Sequence, residues 1–266
     1  MKINQNLYSF KQAFNLESKE IKKLYENYSN IKLPNIYYKF SFGKKIFSSA
    51  KGSFIFDKQK KKYFDFTGGL GVANFGHNHP NIIKARMTFQ KNNYLEIHKS
   101  YLNRFLAAAS SNLSKIIGND LKYVFFCNSG AEANDGALKI SYKYFEAKRK
   151  LVLCSDRSFH GKTIGAGSIS SGDNFVSDGN RFSFQKISGV TKYKFNDINN
   201  LKKIVKKNKK NIYAIFIEPF SCSTLTETNK DFLIEARKLC NQNNILMVFD
   251  EIYSGFGKCG YDFYFK

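Results

Sequence analysis

No run in the sequence approaches the roughly 20 consecutive apolar residues that a membrane-spanning helix needs. The opening residues, Met1 to Phe10, hold no apolar signal-like stretch. The chain is therefore expected to be cytoplasmic, with no membrane partner. There is no Cys-x-x-Cys pair: Cys127, Cys154, Cys222, Cys240 and Cys259 stand singly in apolar contexts. Their odd number argues for reduced core thiols and against a disulfide framework. Histidine is scarce as well. His77 and His79 are close in sequence, but no third Cys, His or acid stands at metal-ligand spacing, so no metal site is expected. No internal repeat is present. Acidic residues are few, 21 Asp and Glu against 43 Lys and Arg, which leaves a formal net charge of +22. Such an excess usually marks a nucleic-acid or anionic-surface partner. Here the basic residues are mostly Lys, spread along the chain among many Asn, Ile, Phe and Tyr, as in a general compositional bias. The one dense run, Lys202 to Lys210, reads as a solvated helix face. No nucleic-acid partner is expected, and attraction of small anionic ligands is the simpler consequence.

What is present is a chain of 266 residues, 42% hydrophobic and 16% aromatic, enough for one large core or two smaller ones. Residues 1–78 carry a helical patch around Ser18–Tyr28 and a hairpin between Gly52 and Phe66, and are expected to form part of a small domain. Residues 79–266 are expected to form a large domain. Helices are predicted over 81–92 and 102–117. Strands at 122–127, 151–154, 213–217 and 245–249 then alternate with helices at 131–149, 197–207 and 230–242. The strands are apolar throughout, which predicts an α/β fold with a mostly parallel sheet covered on both faces.

Ligands in such sheets sit beyond the C-terminal ends of the strands. Asn128-Ser129-Gly130-Ala131 lies between an apolar run, Tyr123 to Cys127, and a helical run with apolar positions at Ala133, Ala137, Ile140, Tyr144 and Phe145. Strand, small-residue turn and helix start together aim backbone N–H groups and the positive helix end at an anion such as a phosphate. Phe159-His160 offers a plane to stack on a flat ring. Asp250 ends a strongly apolar strand and needs a cationic or hydrogen-bonding partner. Phosphate, stacking plane and carboxylate together suit pyridoxal phosphate, whose ring nitrogen a carboxylate keeps protonated. Taken singly, each feature also has an ordinary structural reading: a capping Ser, a core Phe, a satisfied loop His, a salt-bridged Asp. Gly161-Lys162-Thr163 ends like a P-loop, but Asp156 occupies the required earlier glycine. Gly69-Leu70-Gly71 lacks the third glycine of a dinucleotide fingerprint, where Asn74 stands.

Four segments, in order, resemble the class III pyridoxal-phosphate-dependent aminotransferases of ornithine, acetylornithine and 4-aminobutyrate type. They are Asp65 to Val72 with Gly76-His77-Asn78-His79-Pro80; Phe126 to Asn134; Ser158 to Thr163; and Glu218-Pro219 followed by Asp250 to Gly257. The resemblance runs from about residue 35 to Lys266. It implies a fold type I architecture, a homodimer, pyridoxal 5'-phosphate as cofactor, an amino acid or ω-amine as donor and a 2-oxo acid as acceptor. It further implies that Ser129, Gly130 and Ala131 bind the cofactor phosphate, that Phe159 stacks on the pyridine ring with His160 beside it, that Asp250 pairs with the ring nitrogen, and that Glu218 supports the site. Tyr253 replaces a frequent Gln or Met that contacts the ring hydroxyl, a task a tyrosine hydroxyl can share. Ser100 falls where the family shapes its substrate entrance.

The sequence also departs from the family. After Glu218-Pro219 the family often has Gln-Gly-Glu, where this chain has Phe220-Ser221-Cys222-Ser223. The lysine that holds the cofactor covalently lies in the family well after the Asp-Glu motif, beyond another strand, and Lys258 occupies the place of a family arginine. The expectation is a chain incomplete at its C-terminal end, a transaminase when full length and inactive alone. A racemase, mutase or decarboxylase of the same family, or a non-catalytic paralogue, stands as the alternative.

Overall fold

The computed structural model describes residues 8–28, 46–94, 96, 101–118, 121–171 and 186–266. The chain divides into two compact units, residues 1–94 and 95–266.

In the first unit, Ser9 starts α1 (Phe10–Phe14) through a reciprocal capping box with Gln12, and α2 (Ser18–Tyr28) is the expected helical patch. The hairpin is present as β2 (Phe54–Asp57) and β3 (Lys62–Phe64), but β1 (Phe47–Lys51) extends it to a three-stranded antiparallel sheet. The sequence did not announce β1 because Ser48, Ser49 and Lys51 leave it no apolar alternation. Asp65 organises the glycine-rich loop that follows. Its carboxylate accepts from Thr67 N, Thr67 Oγ1 and Gly68 N, and the chain turns once as α3 (Gly68–Gly71). Pro80 occupies the first turn of α4 (Pro80–Lys91), where its missing N–H costs nothing.

The second unit runs α5 (Arg104–Ile117), α6 (Gly130–Tyr144), β4 (Leu151–Ser155), α7 (Ile164–Ser168), β5 (Val190–Tyr193), α8 (Ile198–Asn208), β6 (Ile212–Ile217), the short pair β7 (Phe220–Ser221) and β8 (Thr226–Glu227), α9 (Lys230–Asn243) and β9 (Leu246–Phe249). Its main sheet has the order β5-β4-β6-β9, and every pairing is parallel. All six residues of β6 are buried, because both faces are covered. On one face Leu201 and Val205 of α8 and Phe232, Ala236 and Cys240 of α9 pack against Leu153, Tyr193 and Ile215. On the other, Leu138 of α6 packs with Val152, Cys154, Ala214 and Phe216. The α/β class with its parallel sheet is as expected, and the lysine run of α8 is exposed on the side away from Leu201 and Val205.

Three sequence expectations are corrected. Residues 121–127 are not a buried strand. They form no regular structure, and Tyr123 is fully exposed. High strand propensity does not by itself make a strand, and among the described residues the segment joins none of the sheets. Helix α6 ends at Tyr144, not Arg149, because Glu146 and Ala147 take left-handed φ of 51° and 58° to turn the chain into β4. The buried face of α6 is also displaced by one residue. Asn134, Leu138 and Ser141 point inward, while Ala133, Ile140 and Tyr144 are exposed. All five cysteines are free; Cys154 and Cys240 are core residues, whereas Cys127 shares the exposure of its segment. Among the described residues, no helix is long and apolar enough to cross a membrane.

Candidate active site

The polar ends of β4, β6 and β9 converge on the start of α6. Ser129 is extended (φ −148°, ψ 160°), and its Oγ accepts from Glu132 N at 3.2 Å. Gly130 and Ala131 are the first two residues of the helix and have no acceptor within it for their N–H groups. Two neighbouring loops press on this turn. A Cβ on Gly130 would lie 2.4 Å from Cδ1 of Ile252, and one on Gly161 would lie 2.6 Å from Cβ of Ala131. These glycines are therefore contact points through which the loops after β9 and β4 reach α6.

The loop after β4 is braced from within. Ser158 Oγ donates to Ser155 O and Ile169 O, and Ser170 Oγ accepts from His160 N. This places His160 and Phe159 at the strand end. The His160 ring is edge-on to Phe216 and wholly buried. Its Nδ1 lies 2.7 Å from Oδ2 of Asp250. Asp250 follows β9, and its side chain is 3% exposed. Its Oδ1 accepts from Ile252 N at 3.1 Å, and its Oδ2 also accepts from Asn134 Nδ2 at 2.8 Å. The same amide nitrogen of Asn134 donates to His160 O at 2.8 Å.

Glu218 ends β6. Oε2 accepts from Phe159 N at 2.8 Å and Oε1 from Cys222 N at 3.0 Å. Burial pushes its carboxyl up from 4.5 to about 7, although the nearby His160 and the two N–H groups pull the other way. Phe159 is half-buried at the mouth of the loop. Tyr253 stacks on Phe220, with ring centroids 5.7 Å apart, and Lys258 Nζ sits 4.5 Å from the Tyr253 ring centre.

The structure thus gathers Phe159, His160, Glu218 and Asp250 in one place, beside Ser129, Gly130 and Ala131, with Tyr253 on the flank. Ser100 lies outside the described residues. His77, weighed above as a metal ligand, pairs with Asp65 at 2.7 Å, and His79 precedes α4. Sequence reading missed Asn134. It closes the Phe126–Asn134 segment and was given no role, yet it is buried and bridges two of the functional loops. Its signal was position, one turn into a helix whose start was already under suspicion.

The electrostatics fit a cationic ring. Asp250 is a buried carboxylate whose sole ion-pair partner among the described residues is an imidazole, and Asn134 and Ile252 give it neutral donors that leave its charge in place. His160 Nε2 is buried with no hydrogen-bond partner, so the cluster is not electrostatically closed.

The sequence profile of the class-III aminotransferases matches residues 42–265. The chain is 35% identical over 215 residues to an acetylornithine aminotransferase of Bacillus anthracis, covering 80% of this chain and 53% of that one. It is 33% identical over 229 residues to an acetylornithine aminotransferase of Neisseria meningitidis serogroup A, covering 83% and 54%. The ornithine aminotransferase of Toxoplasma gondii superposes with a TM-score of 0.79 at 24% identity, over 98% of this chain and 60% of that one, which places the architecture in fold type I. The chain spans about half the length of the curated relatives it matches. With the profile covering most of its length and these loops meeting at the strand ends, the chain belongs to the class-III aminotransferase family.

Proposed function

We propose that this chain binds pyridoxal 5'-phosphate and serves a transaminase that moves an amino group from an amino acid or ω-amine to a 2-oxo acid. The observation that carries the reading is Asp250, a buried carboxylate held by neutral donors and an imidazole, one loop away from the start of α6. Pyridoxal phosphate, when bound, supplies a protonated pyridine ring that withdraws electrons from a carbon attached to it. Asp250 holds the proton on the ring nitrogen. The N–H groups of Gly130 and Ala131, with the Ser129 hydroxyl and the positive end of α6, hold the phosphate. Phe159 covers one face of the ring, and Glu218 fixes the backbone of Phe159. The Tyr253 hydroxyl would serve the ring hydroxyl. The relatives named acetylornithine aminotransferase support acetylornithine as donor. Exposed apolar side chains of the second unit, Leu102, Tyr123 and Phe125 among them, support assembly as a homodimer.

The test is equilibrium titration of the purified chain with pyridoxal 5'-phosphate, followed by its absorbance, beside the variant Asp250→Asn. Saturable binding by the wild type that drops at least about tenfold in the variant supports the reading, since a charge-assisted contact is lost. Equal affinities would overturn it.

A further inference from the structure

Asn134 takes no part in the cofactor contacts assigned above, yet its side chain ties two loops of the site, those after β4 and β9, to α6. It projects from α6 one turn after Gly130, at a rise of about 6 Å along the helix. Its Nδ2 donates both to His160 O and to Asp250 Oδ2, each at 2.8 Å, and the residue is 4% exposed. Resting on the cofactor reading, the geometry points to Asn134 as a positioning residue that fixes the ring-nitrogen carboxylate to the same helix that holds the phosphate.

The chemistry of the residue suits this role. Asp250 Oδ2 already faces His160 Nδ1 at 2.7 Å, and a second donor on that oxygen occupies it on both sides. Oδ1 carries one bond, from Ile252 N, so it is the oxygen with capacity for a ring N–H. A lysine or arginine at 134 would also tether the carboxylate, but it would neutralise the charge that a protonated ring needs. An amide tethers without neutralising. A leucine would fill the space and satisfy nothing, leaving His160 O and one side of Oδ2 without a donor. The second contact, to His160 O, ties the loop of Phe159 and His160 to α6 at the same point. Phosphate cradle, stacking loop and carboxylate are then referenced to the first turn of one rigid helix, the arrangement a small ligand gripped at both ends requires.

The experiment uses pyridoxine 5'-phosphate, which has the ring and the phosphate but no aldehyde to react with the many surface lysines. Its affinity and that of inorganic phosphate are measured on the wild type, Asn134→Leu, Asn134→Asp, Asp250→Asn and the double variant N134L/D250N, with circular dichroism as the check on folding. In Asn134→Leu, affinity for pyridoxine 5'-phosphate falls about tenfold to a hundredfold, as for other groups that orient a ligand-binding side chain, while phosphate affinity stays within about twofold. In the Asp250→Asn background the same substitution has little further effect, because Asn134 acts through the carboxylate. Asn134→Asp keeps the shape but has no N–H to donate and sets a second carboxylate beside Asp250, so its loss is at least that of Asn134→Leu. Equal losses for both ligands, or losses that add in the double variant, would mean a purely structural residue and overturn the inference. So would unchanged affinity in Asn134→Leu. Failure of the wild type to bind pyridoxine 5'-phosphate would overturn the cofactor reading itself, and this inference with it.

Discussion

Asp250 and His160 lie 90 positions apart in sequence, and their carboxylate and imidazole meet at 2.7 Å with both side chains all but sealed from solvent. Removing the carboxylate leaves three donors, His160 Nδ1, Asn134 Nδ2 and Ile252 N, without their acceptor. Asp250→Ala is therefore expected to cost about 3 kcal/mol of stability, the scale of a broken buried pair. Urea unfolding measures it. A loss below about 1 kcal/mol, typical of an exposed site, would mean that the cluster relaxes without the aspartate.

Glu218 makes stability depend on pH in an unusual direction. Its carboxyl is raised in the folded state, from 4.5 to about 7, chiefly by burial. Between these two values the folded chain binds the proton that the unfolded chain has released. This contribution is therefore fully present below 4.5, declines as pH rises, and is gone above about 7. The full amplitude is about 3 kcal/mol. In Glu218→Gln the decline in that window disappears, which urea midpoints taken across it will show. A profile in the variant parallel to that of the wild type would mean that another group titrates.

These residues differ in how far the sequence disclosed them. Ile212 to Ile217 is an unbroken apolar run, and a strand buried on both faces has no other composition open to it. With such strands identified, Asp250 was found by its place, since a carboxylate just past a buried strand must be partnered, whereas Glu218 entered through the family resemblance. Asn134 stayed hidden because hydrophobic periodicity marks the apolar row Ala133, Ala137, Ile140 and Tyr144, whereas the buried row sets Asn134 and Ser141 on either side of Leu138, and tertiary hydrogen bonds satisfy Asn134. β5 was missed because Thr191 and Lys192 interrupt a strand of four residues. The segment 121–127 was overread because pairing is a property of the sheet and not of the strand.

The pair Asp65–His77 gives the first unit an acid-sensitive contact. Hydrogen bonds from His77 and then from Thr67 hold the Asp65 carboxyl at about 2, below its ordinary 3.8. A lowered carboxyl stabilises the fold above 3.8, and that stabilisation is lost as pH falls towards 2. His77→Ala removes the largest of these influences, so the Asp65 carboxyl moves back up and the glycine-rich loop loosens at a higher pH. The carboxyl carbon shift of Asp65, followed by NMR through acid titration, reads this directly. A titration unchanged by the substitution would assign the shift to the turn that Thr67 and Gly68 make around Asp65.

The two glycines that seat loops on α6 are expected to differ in their tolerance. At Gly130 an added Cβ meets Cδ1 of Ile252 at 2.4 Å, the far end of a side chain that can swing away. At Gly161 it meets Cβ and Cα of Ala131 at 2.6 Å and 2.9 Å, and φ is +129°, a conformation L-residues rarely adopt. Gly130→Ala should cost about 1 kcal/mol and Gly161→Ala about 3 kcal/mol, strain and overpacking acting together. Gly161→Ala also pushes the His160 loop off the helix, so pyridoxine 5'-phosphate binding falls with it, while Gly130→Ala mainly blunts phosphate binding at the helix start. Thermal midpoints and the two titrations separate these effects. Equal costs at the two positions would mean that the loop after β4 yields as readily as the isoleucine does, and that the backbone contact between Gly161 and Ala131 does not set the geometry of the site.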